Sequence, residues 1–335
     1  MSRSGRIHDV KMKPRCVTLV IVVLGLVWPP ALDAQGSRST RSGPPDGLAA
    51  SLRPEALRVR VAPPRPAQGS VAQVTVDCPL ARHVEGRFDG RAVPCFQWVE
   101  GGPWCALVGI DLEASPGIRR LDLVVRERSG EARECRVDVP VIAGTFDVQR
   151  LRVARRMVTP DPDDEERIRR EAELVKKILG GVTERKFEGA FGRPIPGPVG
   201  ARFGGRRFFN GVPRNPHAGV DLRGHQGTPV HAPARATVAL VRDLYFAGTC
   251  VILDHGLGLF TQYAHLSSVT VEEGEQVRAG QLLGKVGRTG RATGPHLHWS
   301  ATLCRARVNP LDLVKIERSA PADRSGKNSR QETDR

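Results

Sequence analysis

The sequence is poor in aromatic side chains and in long apolar runs. Only 5% of its 335 residues are aromatic, whereas it holds 36 glycines and 26 prolines. Its main apolar run, CVTLVIVVLGLVW at residues 16–28, has thirteen residues, well short of the about 20 that a membrane-spanning helix needs. These scarcities exclude a polytopic membrane protein and favour turn-rich β structure over long helices.

Three familiar motifs are also missing. No CxxC pair occurs, so a thiolate zinc site has no basis, and no HExxH motif supplies a glutamate base. The glycine-rich run GKVGRTGRATG at residues 284–294 lacks the GxxxxGK[ST] order of a phosphate loop and leads into a strand pattern. We therefore interpret that run as the loop that positions His296.

The chain carries an excess of positive charge and an N-terminal export signal. Its 51 basic and 36 acidic residues give a net charge of +15, which attracts nucleic acid, anionic lipid or an acidic cell-wall polymer. Residues 1–34 combine a basic start, the apolar run and a small residue, Ala34, as a cleavage candidate. We expect an exported protein of the periplasm or cell envelope, or a secreted one, with no nucleic-acid partner. Membrane attachment follows only if the signal stays uncleaved as an anchor.

Six cysteines follow the signal segment, and an even number in an exported chain favours disulfides. Cys250 and Cys304 are the two in the second half, so we expect them to pair with each other. The four upstream cysteines allow three connectivities, of which we favour Cys78–Cys135 with Cys95–Cys105.

Alternating apolar residues and glycine turns predict a mainly β protein. After a flexible leader at 35–54, residues 55–155 read as an Ig-like β-sandwich, with Val74, Val76 and Cys78 on one strand face. Residues 156–190 form a linker with a short helix, which Gly180-Gly181 ends. A second all-β domain spans 191–316, and a disordered tail covers 317–335.

Seven of the nine histidines fall between positions 217 and 298. On a strand, His296 and His298 project from the same face, while Leu297 and Trp299 point into the opposite layer. His217 and Asp221 are four apart and can converge from one extended segment. Two histidines and a carboxylate would give three ligands of a tetrahedral Zn²⁺ with the fourth position open, which is the catalytic pattern.

Four other residues of this region are not predicted to be metal ligands. We expect His225 and His231 to be structural or surface residues, and His255 to be a hydrogen-bonding residue of a turn. Tyr263 is either a core aromatic or a groove-lining phenol.

Residues 191–314 resemble the lysostaphin-type (LytM-like) zinc metallopeptidases, cell-wall endopeptidases with a duplicated-hybrid-motif β fold. The matching stretches are HAGVDLRG, GTPVHAP, TCVILDHGLGLFTQYAHLS, AGQLLGKVGRTGRATGPHLHW and VNPLDLV. The resemblance implies that His217, Asp221 and His298 hold zinc. It also implies that His265 and His296 line the substrate water, and it leaves open which of the two is the general base.

The expected function is an exported zinc metalloendopeptidase that hydrolyses peptide cross-links or bridges of peptidoglycan. Zinc acidifies water and polarises a carbonyl, and two histidines can carry the protons near neutral pH. One alternative is a non-catalytic activator of other cell-wall hydrolases, and another is a metallopeptidase acting on protein substrates. Whether a glycine bridge or a D-alanyl cross-link is cleaved stays open.

Overall fold

The computed structural model describes residues 57–152 and 158–318. The expected signal segment, the leader at 35–54 and the tail beyond residue 318 lie outside the described residues. Strands dominate the described part of the chain, which confirms the mainly β fold class. None of the described helices has the length and apolar character needed to cross a membrane.

The first described part of the chain, residues 57–141, is an eight-stranded β-sandwich. Its strands are β1 Arg58–Ala62, β2 Val71–Asp77, β3 Ala81–Phe88, β4 Arg91–Val93, β5 Cys95–Gln97, β6 Trp104–Gly109, β7 Gly117–Glu127 and β8 Ala132–Val141. They form two sheets, ordered β1-β2-β6-β5 and β4-β3-β7-β8. Alternate residues such as Val74, Val76, Leu121 and Leu123 fill the space between the sheets. The alternation in the sequence thus predicted the sandwich and its inner faces.

The second part contains the remaining elements. They are β9 Val148–Leu151, α1 Pro162–Ile178, β10 Val199–Ala201, β11 Arg206–Phe209, β12 Val212–Arg214, β13 Gly219–Leu222, β14 Pro229–His231, β15 Ala236–Leu244, β16 Gly248–Gly256, β17 Leu259–Ala264, β18 Leu266–Val269, β19 Gln276–Val277, β20 Leu282–Val286, β21 Leu297–Leu303, β22 Ala306–Val308 and α2 Pro310–Leu313. The main sheet has the order β10-β13-β21-β17-β16-β15-β19, with β22 beside β21. Two three-stranded sheets, β12-β11-β9 and β14-β20-β18, accompany it.

The predicted linker helix is present as α1. Acidic residues occupy its first turn and Lys176 and Lys177 its last, so both ends complement the helix dipole. None of its residues is fully buried, but Val175 and Ile178 pack against a cluster that includes Leu240 and Phe260. The helix therefore contacts the main sheet through a single apolar stripe.

The sandwich and the main sheet share a hydrophobic core. Phe96, Trp98 and Leu107, on the outer face of the first sandwich sheet, pack in one cluster with Leu303 and Val308. Strand β6 is consequently buried on both faces, which its nearly continuous apolar sequence WCALVG reflects.

An ion pair reinforces this contact. Arg307 donates from Nη2 to Asp111 Oδ1 at 2.7 Å and from Nε to Asp111 Oδ2 at 3.1 Å. The same Nη2 also donates to Glu113 at 2.7 Å. Burial raises the pKa of Asp111, but the hydrogen bonds from Arg307 outweigh burial and hold that pKa below its usual value. The bidentate geometry fixes the sandwich against β22.

The disulfide prediction is wrong for the structure: all six described cysteines are free thiols. Cys250 packs with Leu240 and Phe260, whereas Cys304 borders the core shared with the sandwich and donates to the Leu257 carbonyl at 3.5 Å. The two thiols thus belong to different clusters. Burial raises the pKa of Cys250 to about 12, which keeps this thiol protonated and unreactive.

The upstream pairs are separated as well. Cys95 lies opposite Ala106 on β6 and Phe96 lies opposite Cys105, so the thiols of Cys95 and Cys105 point to opposite faces of one sheet. Cys78 belongs to the sandwich core and Cys135 packs against it, each as a free thiol.

A buried polar network stabilises the core of the second part. His255 is fully buried; its Nδ1 donates to the Arg235 carbonyl at 3.1 Å and its Nε2 lies 2.8 Å from Thr261 Oγ1. Thr261 Oγ1 in turn lies 2.8 Å from the Tyr263 hydroxyl. Tyr263 is therefore a core aromatic, and His255 is a core hydrogen-bonding residue.

This network predicts acid destabilisation. Burial lowers the pKa of His255 from 6.5 to about 4, so below pH 6.5 the unfolded chain binds a proton that the folded chain does not. Stability attributable to His255 is then full above pH 6.5 and falls by about 1.4 kcal/mol per pH unit as the pH drops toward 4. In metal-free protein unfolded by denaturant, His255→Gln should reduce the pH slope by about that amount. An unchanged slope in His255→Gln would contradict the assignment.

Candidate active site

The register of three neighbouring strands places two of the sequence-predicted metal ligands face to face. Asp221 on β13 lies directly opposite His298 on β21, and Ala264 at the end of β17 flanks His298 on the other side. Leu297 and Trp299 are fully buried in the opposite layer, as the alternation predicted. The carboxylate oxygen Oδ1 of Asp221 is 2.8 Å from His298 Nδ1.

His217 completes the group from the loop before β13. Its backbone N–H donates to the Gly205 carbonyl at 2.9 Å, and its carbonyl accepts from the Gly204 N–H at 2.8 Å. Its Nδ1 lies 2.9 Å from the Arg202 carbonyl, which can only accept, so Nδ1 carries the proton and Nε2 is left with a lone pair. That Nε2 is 3.0 Å from Asp221 Oδ1 and 3.0 Å from His298 Nδ1.

These three atoms fit a single small cation. Ligands of one zinc ion at about 2.0 Å must lie within about 4 Å of one another, and all three separations satisfy this. The donor set is two imidazole nitrogens and one carboxylate oxygen, a combination that zinc accepts in catalytic sites. The described residues thus hold a group that could bind a metal ion at His217, Asp221 and His298.

The electrostatics of the group favour ligand forms that bind cations. Burial lowers the pKa of His217 to about 4, so its imidazole is neutral at neutral pH. Burial alone would raise the pKa of Asp221, but hydrogen bonds with His217 and His298 outweigh burial and hold it well below its usual range. A metal ion would therefore meet ionised Asp221 and neutral His217 without first displacing their protons.

His265 reaches the site through an unusual backbone conformation. Its φ of 64° lies in the left-handed region, and its N–H donates to the Ala247 carbonyl at 2.8 Å. Its Nδ1 lies 2.8 Å from the Thr289 carbonyl, so that nitrogen carries the proton and Nε2 is free to accept one. Burial, together with the neighbouring His298 and His296, lowers the pKa of His265 to about 3.

His296 lies beside His265 with the same tautomer. Its Nδ1 is 2.8 Å from the Gly294 carbonyl, which leaves Nε2 with the lone pair, 3.7 Å from Asp221 Oδ1. The ring centroids of His265 and His296 are 4.8 Å apart. All five sequence-predicted site residues therefore converge, and the loop at 284–294 positions both histidines through its carbonyl groups.

The remaining histidines of this region lie elsewhere. His225 is exposed, and His231 lies on the small sheet β14-β20-β18, half-buried. Neither belongs to the group that could bind a metal ion.

Two site residues were missed at the sequence level. Arg207 on β11 donates to the outer oxygen Oδ2 of Asp221 at 3.2 Å and to Gln149 at 3.1 Å. Nothing in the local sequence distinguishes it from its neighbour Arg206. Gly219 lies against the imidazole of His298. Its position between the candidate ligands His217 and Asp221 is the sequence feature that could have identified it.

Gly219→Ala should impair metal binding. A Cβ at this position would lie 2.6 Å from the Trp299 carbonyl oxygen and 2.7 Å from His298 Cε1, closer than real contacts allow. Because the Trp299 backbone belongs to the paired strand, the His298 ring must give way, and we expect about a 10- to 100-fold loss of zinc affinity. Competition with a chelating dye measures it. Gly189→Ala is the matched control, since nothing lies within 4 Å of a Cβ there, and equal affinities in the two variants would refute the role of Gly219.

Comparisons with known proteins agree with this geometry. The model of peptidase family M23 matches residues 215–310, which include all five site residues. Peptidoglycan DD-endopeptidase ShyA of Vibrio cholerae is 39% identical over 100 residues, covering 30% of this chain and 23% of the relative. DD-carboxypeptidase/endopeptidase Mpg of Neisseria meningitidis is 42% identical over 98 residues, 29% of this chain and 23% of the relative. The chain thus matches about a quarter of the length of these relatives.

A solved structure extends the similarity beyond the catalytic region. The crystal structure of a Pseudomonas aeruginosa protein named as an M23 peptidase superimposes with a TM-score of 0.59 at 32% identity. The match covers 75% of this chain and 95% of that protein. The resemblance inferred from the sequence is therefore confirmed, and the chain belongs to peptidase family M23.

Proposed function

We propose that this protein is an exported zinc metalloendopeptidase that hydrolyses peptide cross-links of peptidoglycan. The observation that carries the proposal is the convergence of His217 Nε2, Asp221 Oδ1 and His298 Nδ1 beside the unprotonated Nε2 atoms of His265 and His296. A complete donor set with adjacent proton carriers favours an enzyme over a non-catalytic activator.

His217, Asp221 and His298 would hold the zinc ion, whose contribution is Lewis-acid activation of the scissile carbonyl and of water. The chain's own residues then handle the protons. Nε2 of His265 and Nε2 of His296 can each accept a proton from the attacking water or, once protonated, pass one to the leaving amine. The Thr289 and Gly294 carbonyls hold the two rings in the tautomer that proton transfer through Nε2 requires.

The relatives support a choice of bond. ShyA is named a peptidoglycan DD-endopeptidase and Mpg a DD-carboxypeptidase/endopeptidase, so we propose a D-alanyl cross-link rather than a glycine bridge as the substrate. The basic start and apolar run of residues 1–34 support export, and the net charge of +15 favours contact with acidic wall polymers.

Digestion of purified sacculi tests the proposal. Sacculi with direct D-alanyl cross-links and sacculi with glycine bridges are incubated with zinc-loaded protein, and the released peptides are identified by mass spectrometry. We expect a free amine and a free D-alanine carboxyl at the D-alanyl cross-link, and neither with Asp221→Ala. Cleavage of glycine bridges alone would overturn the choice of bond, and no release from either wall would overturn the function.

A further inference from the structure

Three arginines from separate segments lie beside the candidate metal ligands. We call Arg207 on β11, Arg214 on β12 and Arg291 in the loop before β21 the arginine cluster. Arg207 and Arg214 are direct cross-strand partners. The Arg291 guanidinium lies over the rings of Phe246 and Phe209, at 4.1 and 4.8 Å from their centroids. Aromatic faces thus hold Arg291 near the paired arginines.

The cluster concentrates positive charge in a partly buried place. Burial, followed by the charges of Arg207 and Arg214, lowers the pKa of Arg291 to about 10. The carboxylate of Asp221 pairs with Arg207. A zinc ion bound at Asp221 Oδ1 would neutralise part of that carboxylate's charge, so less of it would compensate the charge of Arg207. Like charges held together out of water are destabilising, and a bound anion would relieve the repulsion.

The cluster also offers a hydrogen-bond donor in need of an acceptor. Among residues 57–152 and 158–318, none accepts a hydrogen bond from the buried Nε of Arg214, although Nη2 of the same side chain donates to the Val158 carbonyl. Carboxylates and phosphates both present two oxygens to the fork of guanidinium N–H groups, and of the two it is the carboxylate that a peptide carries.

The arginine cluster lies next to the residues proposed to act on the scissile bond. Arg207 touches Asp221, and Thr289, two residues before Arg291, holds the ring of His265. The backbone N–H of Arg291 donates to the Phe246 carbonyl at 2.9 Å, which fixes that loop beside the site. A group bound to the cluster would therefore lie close to the scissile bond.

We propose that the arginine cluster binds a carboxylate of the substrate peptide, and that it makes the enzyme select anionic cross-linked stem peptides over uncharged ones. The inference rests on the proposed function and deepens it by naming the residues that determine specificity. The carboxylate can come from the peptide's C-terminus or from the cross-linking diamino acid, two sources with the same chemistry.

Matched substrates test this subsite. Synthetic peptide dimers joined by a D-alanyl cross-link are prepared with both carboxylates free, with the C-terminus amidated, and with the diamino acid amidated. We expect wild-type kcat/KM to fall about 10- to 100-fold when the recognised carboxylate is amidated, the scale for losing hydrogen bonds to a charged group. The amide that causes the fall identifies the source.

Variants locate the effect. Arg291→Gln and Arg214→Gln should lower kcat/KM for the free-acid dimer and abolish the preference for acid over amide. Arg288→Gln removes the same charge from an exposed position of the same loop and should keep the preference. A wild-type enzyme that cleaves acid and amide dimers equally would overturn the subsite, as would Arg291→Gln and Arg214→Gln variants that keep the full preference.

Affinity measurements on zinc-free protein test the arginine cluster independently of the proposed function. The three dimers, fluorescently labelled, are titrated with zinc-free wild-type protein, and we expect the free acid to bind at least about tenfold more tightly than the unrecognised amide. If zinc-loaded protein cleaves none of the dimers, the proposed function fails, while the titration still decides the subsite. Equal affinities would overturn the subsite even if cleavage occurs.

Discussion

Replacing His217, Asp221 or His298 by alanine is expected to bring bound zinc close to zero and to abolish peptidoglycan hydrolysis in the same step. Each of these residues supplies one of three donor atoms that lie 2.8 to 3.0 Å from one another, so two would remain. A site with two protein ligands and no carboxylate, as in Asp221→Ala, also lacks the charge that attracts the cation. Elemental analysis after dialysis measures the metal, and release of peptides from sacculi measures the activity.

The control for this series is His225→Ala, an exposed histidine of the same region that lies outside the candidate site. It should retain zinc and activity. Circular dichroism checks that the ligand variants stay folded, which we expect because the main-sheet core around Trp299 and Tyr263 forms on the opposite side of β21. Wild-type protein that binds no zinc after reconstitution would contradict the assignment of all three ligands.

The main features of the fold were predictable because they follow from periodicity. Alternation at Val74, Val76, Leu121 and Leu123 gave the sandwich faces, and an acidic-to-basic helical stretch gave α1. Packing between the two parts was not predictable in the same way. Strand β6 is buried on both sides because the outer sheet face meets β22, a contact that pairs residues nearly two hundred positions apart.

The candidate site was predictable where residue type and even spacing suffice. His296 and His298 share a strand face, and His217 and Asp221 lie close in sequence, so their convergence follows from strand geometry. The φ of His265 and the Arg207–Asp221 pair depend on tertiary contacts that no local pattern records. The cysteine prediction failed for a related reason: an even count says nothing of whether two side chains share a face, and Cys95 and Cys105 do not.

His265→Ala and His296→Ala are expected to separate proton transfer from metal binding. Both residues lie beside the ligand group without belonging to it, so both variants should keep zinc near the wild-type level. Hydrolysis should nevertheless fall about 10²-fold or more, the usual scale for removing a positioned acid–base group or a donor to the developing oxyanion.

Exogenous imidazole distinguishes a proton-transfer role from a packing role in these variants. Imidazole can occupy the space left by the ring and accept or donate the proton, so it should restore part of the lost rate in His265→Ala or His296→Ala. It should restore nothing in the ligand variant Asp221→Ala, which lacks the metal. In one of the two variants, imidazole should restore activity more strongly at higher pH, because its unprotonated form accepts the proton. The residue replaced in that variant is the general base. Full hydrolytic activity in His265→Ala would remove that residue from the mechanism and leave His296 as the proton carrier at the site.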